Sequence, residues 1–247
     1  MAVKIGSARI DENGKAKGGK AGDQTGKEVS TQNWYKQTNV KKRWRVFRAK
    51  DGEQAIKIAQ DMQWACDNKN IGYDQGQRLT LYDEAKKVGF NCSKVSQPCE
   101  TDCSALVRVC CAYAGINLPN FRTTTEGAVL LASGTFEELK GIKYSDSSDY
   151  LKRGDILVTS TQGHTVVVLT DGKKADETIT TKVVEVTGNS VNVRTAPNTN
   201  AKIIGIVHKG DVLPYGGEDS ENGWHLVEYK NSNGWISGKY SILTFSN

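Results

Sequence analysis

Histidine and long apolar runs are the features in which this sequence is poorest. Only 3 of the 247 residues are His, so a reaction that depends on an imidazole has few candidate residues. No apolar run approaches the roughly 20 residues that a transmembrane helix needs, and we therefore expect no membrane insertion. No signal-peptide core occurs in the opening MAVKIGSARIDENGK, and we expect a protein made in the cytoplasm without a leader.

Length and charge favour a globular protein of two domains. The chain is 25% charged and its mean hydropathy is -0.52, values that exclude a disordered class. The net charge is +5, and its excess lies in residues 1–50, which hold 13 Lys or Arg against 4 Asp or Glu. The basic run at 41–45 contains a Trp, a pattern that also suits polyanion binding. No nucleic-acid-binding signature accompanies it, so we predict a solvated surface and no nucleic-acid partner; an anionic wall polymer would satisfy the same charge.

The cysteines do not form the pattern of a disulfide framework. All six fall between residues 66 and 111, and none lies in the last third of the chain. They lack the paired C-x2-C knuckles of a structural zinc site, so we predict no metal and no cofactor. A single bridge between Cys92 and Cys99 remains open.

Hydrophobic spacing predicts helices first and strands afterwards. Apolar side chains at helical spacing predict helices over 52–67 and 78–88, a third helix capped by Thr101 or Asp102, and a fourth beginning at Thr123. For the fourth, Thr123 and Glu126 form the T-x-x-E pattern of a capping box. The runs ILVTS and HTVVVLT after residue 155 predict strands.

Short β-rich runs separated by turn residues occupy the chain from Val183 onward. We therefore predict an α+β domain over 1–175, a linker over 176–182, and a small all-β barrel over 183–247.

Cys103 and His164 are the candidate catalytic residues. Cys103 lies in the first turn of a capped helix, where we expect the helix dipole to lower the pKa of the thiol. His164 is the only His of the first domain and stands at the start of an apolar strand, and His is the usual base for a Cys nucleophile. Each residue has a structural alternative, a small buried hydrophobe for Cys103 and a hydrogen-bonded imidazole for His164.

Two sequence boxes resemble those of NlpC-type cell-wall cysteine peptidases. Residues 101–107, TDCSALV, are similar to their D-C-S-G-L-V box, and RGDIL followed by GHTVVVL resembles their G-D-L…G-H-V-G-I-Y segment. The resemblance implies a papain-like fold, with Cys103 as nucleophile and His164 as general base attacking an amide of the peptidoglycan stem peptide. The opening GSARIDENG…GGKAGDQTGKEV also resembles the start of clostridial phage lysin domains.

The same resemblance implies further site residues. A third polar residue orients the imidazole in the family, and here the candidates are Asp176, which we favour by its spacing, and Asp171. Relatives carry a Tyr before the Cys that supports the oxyanion or binds the substrate amine; here the candidate is Tyr73, which lies farther upstream and lacks the family's W-G-G residues. Asp102 and Ser104 flank the nucleophile and would bind that amine, or they cap the helix instead.

The last 65 or so residues resemble a bacterial SH3-like cell-wall-targeting domain. VNVRTAP at 191–197 is similar to that family's L-N-V-R-S-G-P opening, and its later G-W and K-Y marks recur at 223–224 and 234–240. The resemblance implies a groove with aromatic walls, for which four residues are candidates: Trp224, Trp235, Tyr229 and Tyr240. We expect His208 and His225 to be structural or surface residues.

Together these patterns predict a peptidoglycan hydrolase of phage-lysin type that acts at the Gram-positive wall after release. An endopeptidase cleaving a D-Glu–diamino acid bond and an N-acetylmuramoyl-L-alanine amidase both remain open. So do a non-catalytic wall-binding protein and a papain-like hydrolase of another acyl substrate. The oligomeric state stays open as well.

Overall fold

The chain folds into two compact units, Met1–Asp176 and Glu177–Asn247. The computed structural model describes residues 2–176, 181–230 and 232–246. The predicted linker at 176–182 falls largely outside these residues. In the described segments no helix has the length and apolarity needed to cross a membrane.

The first unit combines a six-stranded antiparallel sheet, a two-stranded parallel ribbon and five helices. In chain order the elements are β1 (Lys4–Ala8), β2 (Val29–Asn33), β3 (Trp44–Ala49), α1 (Gly52–Asp67), β4 (Ile71–Tyr73), α2 (Thr80–Lys87), β5 (Cys99–Thr101), α3 (Cys103–Tyr113), α4 (Thr123–Ala132), β6 (Phe136–Leu139), α5 (Ile142–Asp146), β7 (Ile156–Thr159) and β8 (Thr165–Val168). The strand order of the sheet is β2-β1-β8-β7-β3-β6, and β4 pairs with β5.

The two faces of the six-stranded sheet bury separate apolar clusters. Because side chains alternate along a strand, Val167 packs with Ile58 of α1 and Leu106 of α3, whereas Val166 packs with Trp44 in the other cluster. The three helices predicted over 52–67, 78–88 and from Asp102 are present within a few residues of the expected bounds. The helices α1 and α3 pack against the face of the sheet that carries Val167.

One local prediction was wrong, and one alternative that the sequence left open is decided. The expected capping box at the start of α4 does not form: Arg122 is the N-cap residue, no side chain caps the helix, and the Glu126 carboxylate accepts a hydrogen bond from the Thr165 hydroxyl instead. All six cysteines are free, so the possible Cys92–Cys99 bridge is absent. In the first case a buried tertiary partner has replaced a local one.

The second unit is all β, as predicted. Its strands are β9 (Thr181–Val186), β10 (Ser190–Arg194), β11 (Ile203–His208), β12 (Val212–Asp219), β13 (Trp224–Tyr229), β14 (Ser232–Ser237) and β15 (Ser241–Ser246). They join in the order β11-β10-β14-β13-β12-β9-β15 around a small core of seven buried Val and Ile side chains. The prediction of an α+β region followed by an all-β region is confirmed.

Candidate functional site

Cys103 is the first residue of α3, as the sequence predicts. The Asp102 carboxylate caps the helix by accepting the Ala105 N–H at 2.7 Å, and this bond fixes the backbone at the point where Cys103 enters the first turn. The Cys103 side chain is 8% exposed. The thiol therefore sits at a rigid helix start, with a small part of its surface open.

The environment of Cys103 favours the neutral thiol over the thiolate. The N–H groups of Thr165 and Ser104 face the sulfur and favour the thiolate, but burial outweighs them, and the carboxylates of Asp102 and Glu126 act in the same direction as burial. The pKa of Cys103 is accordingly raised to about 12. The expectation that the helix dipole lowers this pKa was wrong, because desolvation and two acidic neighbours dominate.

His164 directly precedes β8 and is positioned by the turn that follows β7. The Thr159 hydroxyl accepts the N–H groups of Gly163 and His164, and the Thr159 N–H donates to the His164 carbonyl. The imidazole packs at 6.5 Å, ring centre to ring centre, from Trp44. Burial, aided by the nearby Arg9 cation, lowers the pKa of His164 to about 4. The imidazole is therefore neutral at neutral pH, and in this buried position it is a weak base.

The two predicted catalytic residues are connected through a backbone amide and not through their side chains. The amide between His164 and Thr165 presents its N–H to the Cys103 sulfur, which brings the chain at His164 next to the thiol. Within the described ranges, no hydrogen bond joins the imidazole to the thiol or to a carboxylate. Transfer of a proton from Cys103 to His164 thus requires a change of the imidazole's position.

Asp176 and Asp171 lie beyond the far end of β8 from His164. The Asp176 side chain is 96% exposed and pairs with Lys152 at 3.3 Å. Asp171 accepts the Arg153 N–H at 2.7 Å. Four residues of extended strand separate His164 from the end at which these carboxylates occur, and a strand rises about 3.3 Å per residue. The structure does not bring either carboxylate to the imidazole.

Asp102 and Ser104 belong to a buried network around Arg78. The Arg78 guanidinium donates to the Asp102 carboxylate and to the Ser104 hydroxyl, and Asp102 also accepts from that hydroxyl. All three residues are at most 5% exposed. Their polar atoms are thus already engaged, so the capping alternative for Asp102 describes this structure better than binding of a substrate amine.

Tyr73 is brought close to Cys103 by the parallel pairing of β4 with β5. Tyr73 stands opposite Thr101, two residues before the nucleophile, and its hydroxyl accepts from the Gln75 amide. Burial raises the pKa of Tyr73 to about 12, and the proximity of Cys103 and Asp102 contributes. The phenol is therefore a neutral hydrogen-bonding group beside the thiol.

Glu126 is a residue of this site that sequence reasoning did not find. It is fully buried on α4, and it and Cys103 are close enough to influence each other electrostatically. Its only signal in the sequence was the T-x-x-E pattern, which pointed to a helix cap. The position of β8 relative to α4, which decides its role, is not encoded locally.

A polar groove of about 300 Å³ adjoins the start of α3. It is lined by Arg78, Asn120 and Arg122, among others. The Arg122 side chain is 62% exposed, and its guanidinium lies 4.0 Å from the Asp102 carboxylate. The groove therefore offers an exposed cation next to Asp102, the residue that precedes Cys103 in the chain.

The second unit has a groove of its own. It encloses about 340 Å³ and is lined by Trp224, Tyr240, Arg194 and Lys239 with several small polar residues. Two of the four aromatic candidates, Trp224 and Tyr240, therefore line a groove, whereas Tyr229 packs against the apolar core. His208 and His225 make local hydrogen bonds to the Asn189 carbonyl and to Asp219.

No group of three or more His, Cys, Asp and Glu side chains in the described part of the chain is arranged to hold a metal ion. The site chemistry above is carried by a thiol, an imidazole, a phenol and carboxyl groups.

Comparison with known proteins identifies both units. The family model described as an endolysin-like domain matches residues 5–175, and that described as a bacterial SH3 domain matches residues 189–241. No curated protein sequence matches the chain. The first match covers more than half of the chain.

Proposed function

The chain belongs to the endolysin-like domain family and is a cell-wall hydrolase with a bacterial SH3 domain, and from this premise we propose that it cleaves an amide bond of the peptidoglycan stem peptide by cysteine catalysis. The observation that carries the proposal is Cys103, a thiol held at the start of α3, whose cap residue Asp102 lies 4.0 Å from the Arg122 guanidinium of a polar groove. His164 is the general base, because it is the only imidazole of the first unit and because the N–H of the residue that follows it, Thr165, faces the Cys103 sulfur.

The reaction proceeds through an acyl-enzyme. The Cys103 thiol gives its proton to the His164 imidazole, and the sulfur forms a bond to the amide carbonyl carbon. The oxyanion is stabilised by the Cys103 backbone N–H. The C–N bond then breaks, and the amine leaves with the proton from the imidazolium. Water hydrolyses the thioester, which releases a carboxylic acid and restores the thiol.

The groove beside Asp102, the cap residue of α3, suits an anionic stem peptide. Stem peptides carry free carboxylates, and the exposed Arg122 guanidinium supplies a fork-shaped donor for one of them. This placement is compatible with cleavage at a D-Glu–diamino acid bond or at the bond between muramic acid and L-alanine. Mass spectrometry of the digested muropeptides distinguishes the two, because the newly formed terminus identifies the bond that was cleaved.

The SH3 unit binds the wall through its aromatic groove. Tyr240 offers an exposed ring there beside the mostly buried Trp224, and Arg194 and Lys239 offer positive charge for anionic wall polymers. We propose that the substrate is the Gram-positive wall, reached after the protein is released from the cytoplasm in which it is made.

The proposal is tested by wall hydrolysis with two cysteine variants. Wild-type protein should clear suspensions of purified Gram-positive walls, and Cys103→Ala should lower the rate about a thousandfold or more. Cys66→Ala is the matched control, since Cys66 is 7% exposed, nearly the same as Cys103, but lies on α1.

Each alternative has its own outcome. Hydrolysis that survives Cys103→Ala overturns the nucleophile assignment. Wall binding without any release of muropeptides indicates a non-catalytic binding protein. Cys103-dependent hydrolysis of a model amide combined with inactivity on every wall indicates another acyl substrate.

A further inference from the structure

Glu126 is a buried carboxyl group whose position no local interaction explains. It lies in the first turn of α4 without capping that helix, and it is 0% exposed. Oxygen Oε1 accepts the Thr165 hydroxyl at 2.8 Å, and Oε2 has no hydrogen-bond partner. A buried oxygen without a partner is costly for a carboxylate, so the neutral acid is the form compatible with this environment.

The contact between Glu126 and Thr165 reaches the nucleophile. Thr165 uses its side chain to bind Glu126, while its backbone N–H faces the Cys103 sulfur. Glu126 thus holds the residue that supplies one of the two N–H groups favouring a thiolate. Thr165 also directly follows His164 in the chain. Glu126 is therefore connected to His164 through the hydrogen bond to Thr165.

The groups around Glu126 are mostly uncharged or acidic. The helix α3 and its cap present Cys103, Cys111 and Asp102 to it. The strand β8 presents the Thr165 hydroxyl, and β7, which packs against α4, contains no charged residue. On the side of β3 and β6, the nearest charges are the paired Arg45 and Glu138, with Arg45 packed beside Gly127. Burial raises the pKa of Glu126 to about 8, and Asp102 adds to this effect.

We propose that Glu126 is a positioning residue for Cys103: as a neutral acid it holds Thr165 against the sulfur, and its ionisation opposes formation of the Cys103 thiolate. The inference rests on the proposed function of Cys103 as nucleophile. A negative charge on Glu126 disfavours a second negative charge on the sulfur. Above about pH 8, the reactivity of the Cys103 thiol should therefore rise less steeply with pH than the reactivity of a thiol without an acidic neighbour.

The test is alkylation of Cys103 by iodoacetamide in the full chain, followed by mass spectrometry of the Cys103 peptide. The measured quantity is the ratio of the rate at about pH 9.5 to the rate at about pH 6.5. In Glu126→Gln, which keeps the shape but cannot ionise, this ratio should exceed the wild-type ratio about tenfold. A ratio equal to that of wild type overturns the proposal.

Two further variants separate positioning from folding. Asp61→Asn is the matched control, because Asp61 is another fully buried carboxyl with an unpartnered oxygen, and its hydrogen-bond partner is the Cys92 N–H and not Thr165. Its ratio should equal that of wild type, and an equal increase in both variants would mean a general effect of buried charge and contradict the proposal. Thr165→Val removes the hydroxyl that Glu126 holds, and it should lower the alkylation rate at both pH values about threefold or more.

Alkylation does not depend on any wall substrate. If Cys103→Ala retained wall hydrolysis, the proposed function would fail while the Glu126 ratio could still be measured. Where hydrolysis is Cys103-dependent, the pH profile of kcat/KM should show an alkaline decline that is absent from Glu126→Gln; a decline common to both proteins contradicts the inference.

Discussion

The two units of this protein hold their functional side chains in opposite ways. In the endolysin-like unit Cys103 is 8% exposed and is surrounded by buried hydrogen-bonded groups, whereas in the SH3 unit Tyr240 is 45% exposed on the wall of an open groove. Burial changes the protonation of a nucleophile, and at Cys103 it favours the neutral thiol. A surface that binds a large insoluble polymer needs accessible aromatic area. The difference teaches that Cys103 and the Tyr240 ring of the attachment groove differ sharply in exposure, although Trp224 of the same groove is as buried as Cys103.

The largest effect that would sharpen this comparison is loss of the base. His164→Ala should reduce wall hydrolysis about a thousandfold, because no other imidazole lies in the first unit, and leave wall binding as it is. Hydrolysis is measured by turbidity and binding by co-sedimentation with walls. His208→Ala, in the SH3 unit, is the control and should keep full hydrolysis. Near wild-type hydrolysis by His164→Ala would remove the imidazole from the mechanism.

The next effect concerns stability within the endolysin-like unit. Asp102→Asn keeps a side chain able to cap α3 but leaves the buried Arg78 cation without its carboxylate, so the free energy of unfolding of this unit should fall by about 3 kcal/mol. Denaturant titration followed by fluorescence measures it. Asp146→Asn, which disrupts pairs with the more exposed Lys36 and Arg43, should cost less than about 1 kcal/mol. Unchanged stability with a raised KM would instead assign Asp102 to substrate binding.

A smaller effect is expected in the SH3 unit. Tyr240→Ala should weaken binding to purified walls about tenfold, since it removes one aromatic wall of the groove, while hydrolysis of soluble muropeptides stays unchanged. Phe245→Ala is the matched control: Phe245 is 58% exposed in the same unit and does not line the groove. Equal binding by Tyr240→Ala and wild type would place the attachment surface elsewhere and break the comparison.

The smallest effect is predicted for Asp176. Because its side chain is almost fully exposed and pairs with Lys152 at the surface, Asp176→Ala should leave hydrolysis at the wild-type rate and change stability by less than about 0.5 kcal/mol. Turbidity assays beside Asp171→Ala check this. A loss comparable to that of His164→Ala would restore the catalytic role that the spacing suggested.

Most of the fold was readable from local patterns. The helix α3 could be placed because Asp102 caps it and Gly115 ends it with a positive φ of 82°. The SH3 unit could be placed because its short strands alternate with turn residues. Pairing between distant strands was not readable, and the proximity of Tyr73 to Cys103 depends on the parallel pairing of β4 with β5.

The sequence by itself determined the two units, the position of Cys103 at a helix start and the uniqueness of His164 in the first unit. These depend on capping, periodicity and counting, all of which are local. Only the tertiary structure decided the protonation of Cys103 and the partner of Glu126. A pKa depends on burial and on charges from other elements, so the predicted low value for the thiol became a high one, and a predicted helix cap became a buried acid beside the nucleophile.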